Sequence, residues 1–241
     1  MRIIHCENYE SLSVQAGALV IAELTKKKNL LLCAATGNSP IGLYTELTKK
    51  AEADRALFEE FRVIQLDEWG GIVENDPASC ARYLRTRLLD PLEVSSDRFM
   101  AFASTPSEPS EQCQRMQSQL ASQGPIDVCV LGLGINGHIG FNEPGPSLLP
   151  HCHVARLSED SRRHAMVRFM DRAPSFGLTL GMQEILAAKR IILLVAGDGK
   201  HQATAGLLSG EVSTTLPASF LWLHQNVDCL IDQSVLTEAT P

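Results

Sequence analysis

The chain of 241 residues is 44% apolar and 20% charged, a globular composition that excludes a disordered protein and leaves length for a large buried core. Lys and Arg total 21 against 28 Asp and Glu, so the net charge is −7 with histidine neutral; this argues against nucleic acid as the main partner, and any bound anion must be held by a local site. The seven cysteines are an odd number without a C-x-x-C pair, and MRIIHCENYESL holds no apolar run long enough for a signal or a membrane span, which predicts a reduced, cytoplasmic protein away from membranes.

In chain order, short runs rich in Leu, Ile and Val alternate with amphipathic stretches. RIIHC at 2–6 precedes a helix over roughly 9–28, and LLLCAA at 30–35 precedes one over 40–54. FRVIQL at 61–66 is followed by helices near 78–90 and 108–123, then by DVCVLGLG at 127–134. A helix at 181–189, RIILLVAG at 190–197, a helix at 200–209 and VDCLI at 227–231 complete the series. Continuous apolar runs between helices fit buried parallel strands, so the expected fold class is α/β: a doubly wound, mostly parallel sheet in a single domain over 1–241. The stretch 140–175, with Pro144, Pro146, Pro150 and Pro174, lacks periodicity and is expected to form a lid or small subdomain. STPSEPSE at 104–111 reads as a surface loop before a helix.

Four strand ends carry reactive or glycine-rich clusters, and in open α/β sheets ligands bind outside the carboxyl ends of strands, so a single cleft is expected. VLGLGINGHIGFNEPG at 130–145 has the Gly132-x-Gly134-x-x-Gly137 spacing of a dinucleotide turn, but Pro144 and Pro146 leave no room for the helix that such a turn must open. The glycines instead let backbone approach a ligand closely and aim His138, Asn142 and Glu143. In LDEW, Asp67 and Glu68 are neighbours on an extended segment and point to opposite sides, so one carboxylate at most faces the cleft. A helix cap is the plain alternative for either; with Gly70-Gly71 next and no helical pattern until near 78, a cleft-facing base is favoured.

AATGNSPIGLY at 34–44 presents Thr36, Gly37, Asn38 and Ser39 ahead of Pro40 at a helix start, an anion cradle without a Walker lysine, against the alternative of an ordinary Asn or Ser cap. AGDGK at 196–200 places Lys200 to supply the missing positive charge. His151-Cys152-His153 are consecutive and cannot converge on one ion, so no metal is expected. Arg162, Arg163, His164 and Arg168 read as a solvated helix face from which one arginine turned inward would complete a phosphate site, and spacing does not choose which.

At the ATGNSP loop, LDEW, GxGxNGHIGFNEPG, the TLG at 179–181 and GDGK, the chain resembles the glucosamine-6-phosphate deaminase/isomerase family, which shares a Rossmann-like fold with the 6-phosphogluconolactonases. GPSLLPHCH and STTLPASFLWLH look like the galactosamine-6-phosphate isomerases or deaminases within it. The resemblance implies aldose–ketose isomerisation of a 2-amino-2-deoxyhexose 6-phosphate with loss of ammonia, with no metal or organic cofactor. It makes Asp67 the base at C2 and His138 the group that assists ring opening. Glu143 then supports His138 and the O1 proton, and Thr36 to Ser39, Gly137 and Lys200 hold the substrate and its phosphate.

Asn136 stands where many relatives carry Asp; it can orient an imidazole but cannot stabilise an imidazolium by charge. A gapless alignment puts Val167 at the family's phosphate arginine, with Arg168 one place on. The alternative on the same fold is a sugar-phosphate lactone hydrolase, which needs the loop histidine but no C2 base. A sensor of sugar phosphates would keep the anion loop and lose the catalytic groups, which are present here. The sugar epimer and the oligomeric state stay open.

Overall fold

The computed structural model describes residues 1–72, 76–103, 108–163, 166–170 and 173–237. Seven strands form one sheet: β1 (Arg2–Cys6), β2 (Leu31–Ala34), β3 (Arg62–Gln65), β5 (Phe99–Met100), β6 (Val128–Gly132), β9 (Arg190–Val195) and β10 (Val227–Asp232). Their order is β1-β10-β9-β6-β2-β3-β5, with every neighbouring pair parallel. All six apolar runs seen in the sequence are in this sheet, and the short β5 is added at its edge.

The period of two along each strand divides the core. Leu31, Cys33, Ile191 and Leu193 enter one apolar cluster, and Leu32, Ala34, Ile192 and Leu194 enter the other. Helices α1 (Tyr9–Lys26) and α2 (Ile41–Ala53) cover the second cluster with Leu12, Val20, Leu43 and Leu47. Helices α4 (Pro109–Gln123), α6 (Met182–Leu186) and α7 (His201–Leu208) cover the first with Met116, Ile185 and Leu207. Each such fully buried Leu or Ile contributes about 2 kcal/mol. The sheet is therefore doubly wound. From β2 the chain proceeds to β3 and β5 on one side, and from β6 to β9 and β10 on the other, so the adjacent ends of β2 and β6 flank the switch point where ligands bind in this architecture.

A second sheet departs from the sequence expectation. β4 (Asp67–Gly70) pairs antiparallel with β8 (Phe176–Thr179), which pairs antiparallel with β7 (His153–Ala155). LDEW is thus not a loose strand end; after Leu66 the chain leaves one sheet and enters another. The stretch 140–175 supplies β7, the one-turn helix α5 (Glu159–Arg162) and a 3-10 turn at Val167–Phe169. Trp69, Ile72, Phe141, Ala155 and Leu157 form a small apolar cluster beneath this second sheet. Its strands have three or four residues each, too short to show alternation.

Residues 133–145 form turns and an Ile139–Asn142 bridge with no helix, in agreement with the rejection of a dinucleotide turn. Residues 104–107 of the Ser/Pro cluster and His164 lie outside the described residues. No described helix is long and apolar enough to cross a membrane.

Candidate active site

The loop between β2 and α2 is held by two tyrosines that the sequence did not single out. Tyr9, at the start of α1, donates its hydroxyl to Asn38 O at 2.9 Å and accepts Gly42 N–H at 2.8 Å. Tyr83, on α3 (Cys80–Leu84), donates to Gly37 O at 2.6 Å. Neither Asn38 nor Ser39 caps α2, which has no side-chain cap, so the plain cap reading of this loop fails. Ser39 is buried and accepts Lys200 Nζ at 3.0 Å. Lys200 arrives on the β9–α7 loop, and burial lowers its pKa to about 8 with no carboxylate pairing it among the described residues. A cation of this kind, bonded to a neutral hydroxyl, is suited to an incoming phosphate.

Asp67 and Glu68 do point to opposite sides of β4, and each has a distinct task. Glu68 is fully buried and accepts Trp69 N–H, Cys80 N–H and Ala81 N–H, each at 2.8 Å, and Gln65 Nε2 at 2.9 Å. It therefore caps α3 from 12 residues upstream, beside Ser79, whose hydroxyl accepts Arg82 N–H. The cap reading, disfavoured on sequence, is correct for Glu68 and leaves Asp67 as the free carboxyl. Burial, reinforced by Glu68 and only partly opposed by the Cys80 thiol, pushes the Asp67 pKa up to about 7. That range suits a carboxylate base.

The glycines of the 130–145 loop bring its polar groups into place. A Cβ at Gly134 would meet the His138 ring at 2.5 Å, so the imidazole lies directly against bare backbone. Gly140, at φ +58°, passes where a Cβ would sit 2.7 Å from Thr179 Oγ1 and 3.6 Å from Asp67 Oδ2, which seats this loop against the Asp67 carboxyl. Gly137 instead abuts Leu216, and its carbonyl accepts Ala218 N–H at 3.0 Å, so it is tied to the 216–218 segment rather than to the anion cradle. Asn142 donates to both Ile139 O and Leu180 O at 2.9 Å; it anchors the loop and is not aimed for chemistry.

Asn136 fixes the tautomer of His138. Its Oδ1 accepts the backbone N–H of His138 at 3.1 Å and lies 2.8 Å from Nδ1. Because the backbone N–H can only donate, the facing atom is the carbonyl oxygen, Nδ1 carries the ring proton, and Nε2 holds the lone pair. Asn136 Nδ2 donates to Glu143 Oε2 at 3.1 Å, and that same oxygen lies 3.5 Å from His138 Nδ1. The charge that Asn136 lacks is thus supplied by Glu143. Burial would raise the Glu143 pKa, but bonds from His138, Ser161 and Asn136 overcome it and pull the pKa down to about 2. Ser158 N–H at 3.3 Å and the Ser161 hydroxyl complete the carboxylate's shell, so the region before and within α5 holds Glu143 in place.

His138→Gln keeps the bond to Asn136 but loses the Nε2 lone pair, so its loss of kcat is expected to be at least about tenfold greater with a cyclic than with an open-chain substrate. Equal loss with both substrates would remove a ring-opening role.

The arginines fit the solvated-face reading. Arg162 and Arg163 are exposed, Arg163 pairs with Glu159, and Arg168 is exposed on the 167–169 turn with no ion pair or hydrogen bond to residues 36–39 or Lys200 among the described residues. His153 Nδ1 bonds His151 O and His151 pairs with Glu184, so the two rings are engaged separately. Two surface concavities, of about 560 and 520 Å³, open beside α4 and α6; His151 and Glu184 line the first, and Asp67, His138, Glu143, Ser39 and Lys200 line neither.

A buried carboxyl at the β3–β4 step, an Asn–His–Glu cluster after β6 and a Ser–Lys pair across β2 and β9 lie at the strand ends of the main sheet. Residues 9–230 match the model of the family described as glucosamine-6-phosphate isomerases/6-phosphogluconolactonase. The chain belongs to this family. AgaI of Escherichia coli (strain K12), whose name as a deaminase is itself provisional, is 39% identical over 226 residues, 94% of this chain and 90% of that protein. Glucosamine-6-phosphate deaminase 1 of Bacillus subtilis (strain 168) is 35% identical over 236 residues, 97% of each chain. The solved structure of a monomeric glucosamine-6-phosphate deaminase superposes with a TM-score of 0.93 at 35% identity, covering 98% of this chain and 100% of its own. A Trypanosoma brucei 6-phosphogluconolactonase, at TM-score 0.74 and 22% identity, shares the fold.

Proposed function

We propose that the chain converts a 2-amino-2-deoxyhexose 6-phosphate to the ketohexose 6-phosphate and ammonia. The supporting observation is Asp67: a buried carboxyl with its pKa raised to about 7, in contact with the loop that holds His138 and Glu143. Lactone hydrolysis has no use for such a group. The identity to proteins named deaminases, 35–39%, against 22% to a lactonase, points the same way.

In this reading the phosphate sits on residues 36–39 and Lys200. Ring opening moves the O1 proton off and a proton onto O5, with the His138 Nε2 lone pair taking the first and returning it. The C2 hydrogen is then α to an aldehyde and acidic enough for the Asp67 carboxylate. Asp67 removes it while the substrate's ammonium group passes a proton to O1, which gives an enolamine; Asp67 then returns its proton to C1, leaving an imine at C2. Water adds to that carbon and ammonia departs, so the C–N bond is hydrolysed and the carbonyl ends at C2. Glu143, ionised, steadies the charge that His138 and O1 pass through. Ser158 and Ser161, before and within α5, fix Glu143, and the seven unpaired cysteines suit a cytoplasmic enzyme.

The test is an ammonia assay run in parallel on glucosamine 6-phosphate and galactosamine 6-phosphate, with 6-phosphogluconolactone as the third substrate. Ammonia stoichiometric with ketohexose phosphate from either hexosamine is the expected result, and the faster one assigns the epimer. Lactone hydrolysis without ammonia release would transfer the chain to the other reaction.

A further inference from the structure

Tyr9 and Tyr83 reach the loop between β2 and α2 from two different helices, and both rings pack against the second apolar cluster, on the face of the main sheet that α1 and α2 cover. Tyr9 Oη lies 2.9 Å from Asn38 O and 3.3 Å from Ser39 O, and Tyr83 Oη lies 2.6 Å from Gly37 O. A carbonyl oxygen can only accept, so each phenol donates. Burial pushes the Tyr83 pKa up, which keeps that hydroxyl protonated. The carbonyls of Gly37 and Asn38 are thus held toward the helices.

Peptide geometry then fixes what faces the other way. The 37–38 and 38–39 bonds are trans, so in each plane the N–H points opposite to the carbonyl. Asn38 N–H and Ser39 N–H are therefore directed away from the tyrosines, and neither has an acceptor among the described residues. Residue 40 is proline and brings no N–H. Two loop hydroxyls are already engaged: Thr36 donates to Cys80 Sγ at 3.4 Å, while Ser39 accepts Lys200 Nζ at 3.0 Å and donates to Ala196 O at 3.5 Å. The pair of backbone donors is left for an anion beside Lys200.

We propose, resting on the reading of residues 36–39 and Lys200 as the phosphate site, that Tyr9 and Tyr83 are positioning residues for the substrate's phosphate: their hydroxyls hold the Asn38 and Gly37 carbonyls and so keep the Ser39 and Asn38 N–H groups turned toward the anion. Without the hydroxyl the peptide plane is free to rotate, and rotation brings a carbonyl oxygen toward phosphate in place of an N–H. Both tyrosines act at the phosphate end of the sugar, so their loss is read in affinity and not in the chemical step.

The experiment is the binding of inorganic phosphate, followed by titration calorimetry, together with KM and kcat for ammonia release, in the native protein, Tyr9→Phe, Tyr83→Phe and Lys200→Ala. Phe keeps the packed ring and removes only the hydroxyl. Each Phe variant is expected to bind phosphate about 3- to 10-fold more weakly, with KM raised by a similar factor and kcat within about twofold of native. Native phosphate affinity in either folded variant overturns the proposal for that tyrosine, and a lowered melting temperature beside native affinity does the same, because it marks a bond that only supports the fold. If one variant does not fold, the other decides alone. Lys200→Ala separates the two layers: weakened phosphate binding there with native affinity in both Phe variants removes the tyrosines only, whereas native affinity in Lys200→Ala removes the phosphate site on which the proposal rests.

Discussion

Asp67→Asn is expected to lower kcat for ammonia release by about 10³- to 10⁴-fold while leaving substrate affinity within a few-fold of native, because general-base catalysis contributes on that order and the phosphate contacts are untouched. The same variant has a second signature. The Asp67 pKa is raised from the ordinary 3.8 to about 7 by burial and by Glu68, so the native state binds that proton more tightly than the unfolded chain. The stabilisation from the protonated carboxyl is complete below the unfolded value and is lost as pH rises through about 7. Asn is neutral throughout. Asp67→Asn is therefore expected to melt higher than the native protein at pH 8, with the difference closing toward pH 4. A lower melting temperature at pH 8 would place the carboxyl in surroundings that welcome its charge, which a poised base does not occupy. The position thus exchanges stability for activity.

Lys200→Ala is expected to raise KM by about 10- to 100-fold, the value of a charge-assisted bond to phosphate, with kcat reduced less than about threefold. The pH profile carries the same information. Asp67 must be ionised and Lys200 protonated, and burial has brought their values to about 7 and about 8, so kcat/KM is expected to trace a narrow bell between them. In Lys200→Ala the alkaline limb disappears and the acid limb stays. An unchanged KM with the alkaline limb intact would separate Lys200 from the phosphate.

The main sheet was legible because its strands are continuous apolar runs such as LLLCAA and RIILLVAG, each closed by glycine or a polar cluster. Those closures also exposed the candidate site, since His138, Glu143, Ser39 and Lys200 lie just past strand ends. The second sheet was not legible. DEWG, HVA and FGLT are too short for a pattern, and they are strands only because they pair across more than a hundred residues in the case of β4 and β8. The division between Asp67 and Glu68 depended on where α3 begins, which spacing does not state. Tyr9 and Tyr83 bond to loop carbonyls 29 and 46 residues away, contacts made to backbone and so without a sequence signature. Asn136 looked like a lost charge; the structure shows Glu143 restoring it at 3.5 Å from the ring.

Exchange of the C2 hydrogen of a hexosamine 6-phosphate with D2O, followed by NMR in the native protein and in Asp67→Asn, tests the assignment of the base most directly. Solvent deuterium entering at C2 or C1 with the native protein, and none above the uncatalysed rate with a folded, phosphate-binding Asp67→Asn, is the predicted result. Exchange by Asp67→Asn at the native rate would contradict it.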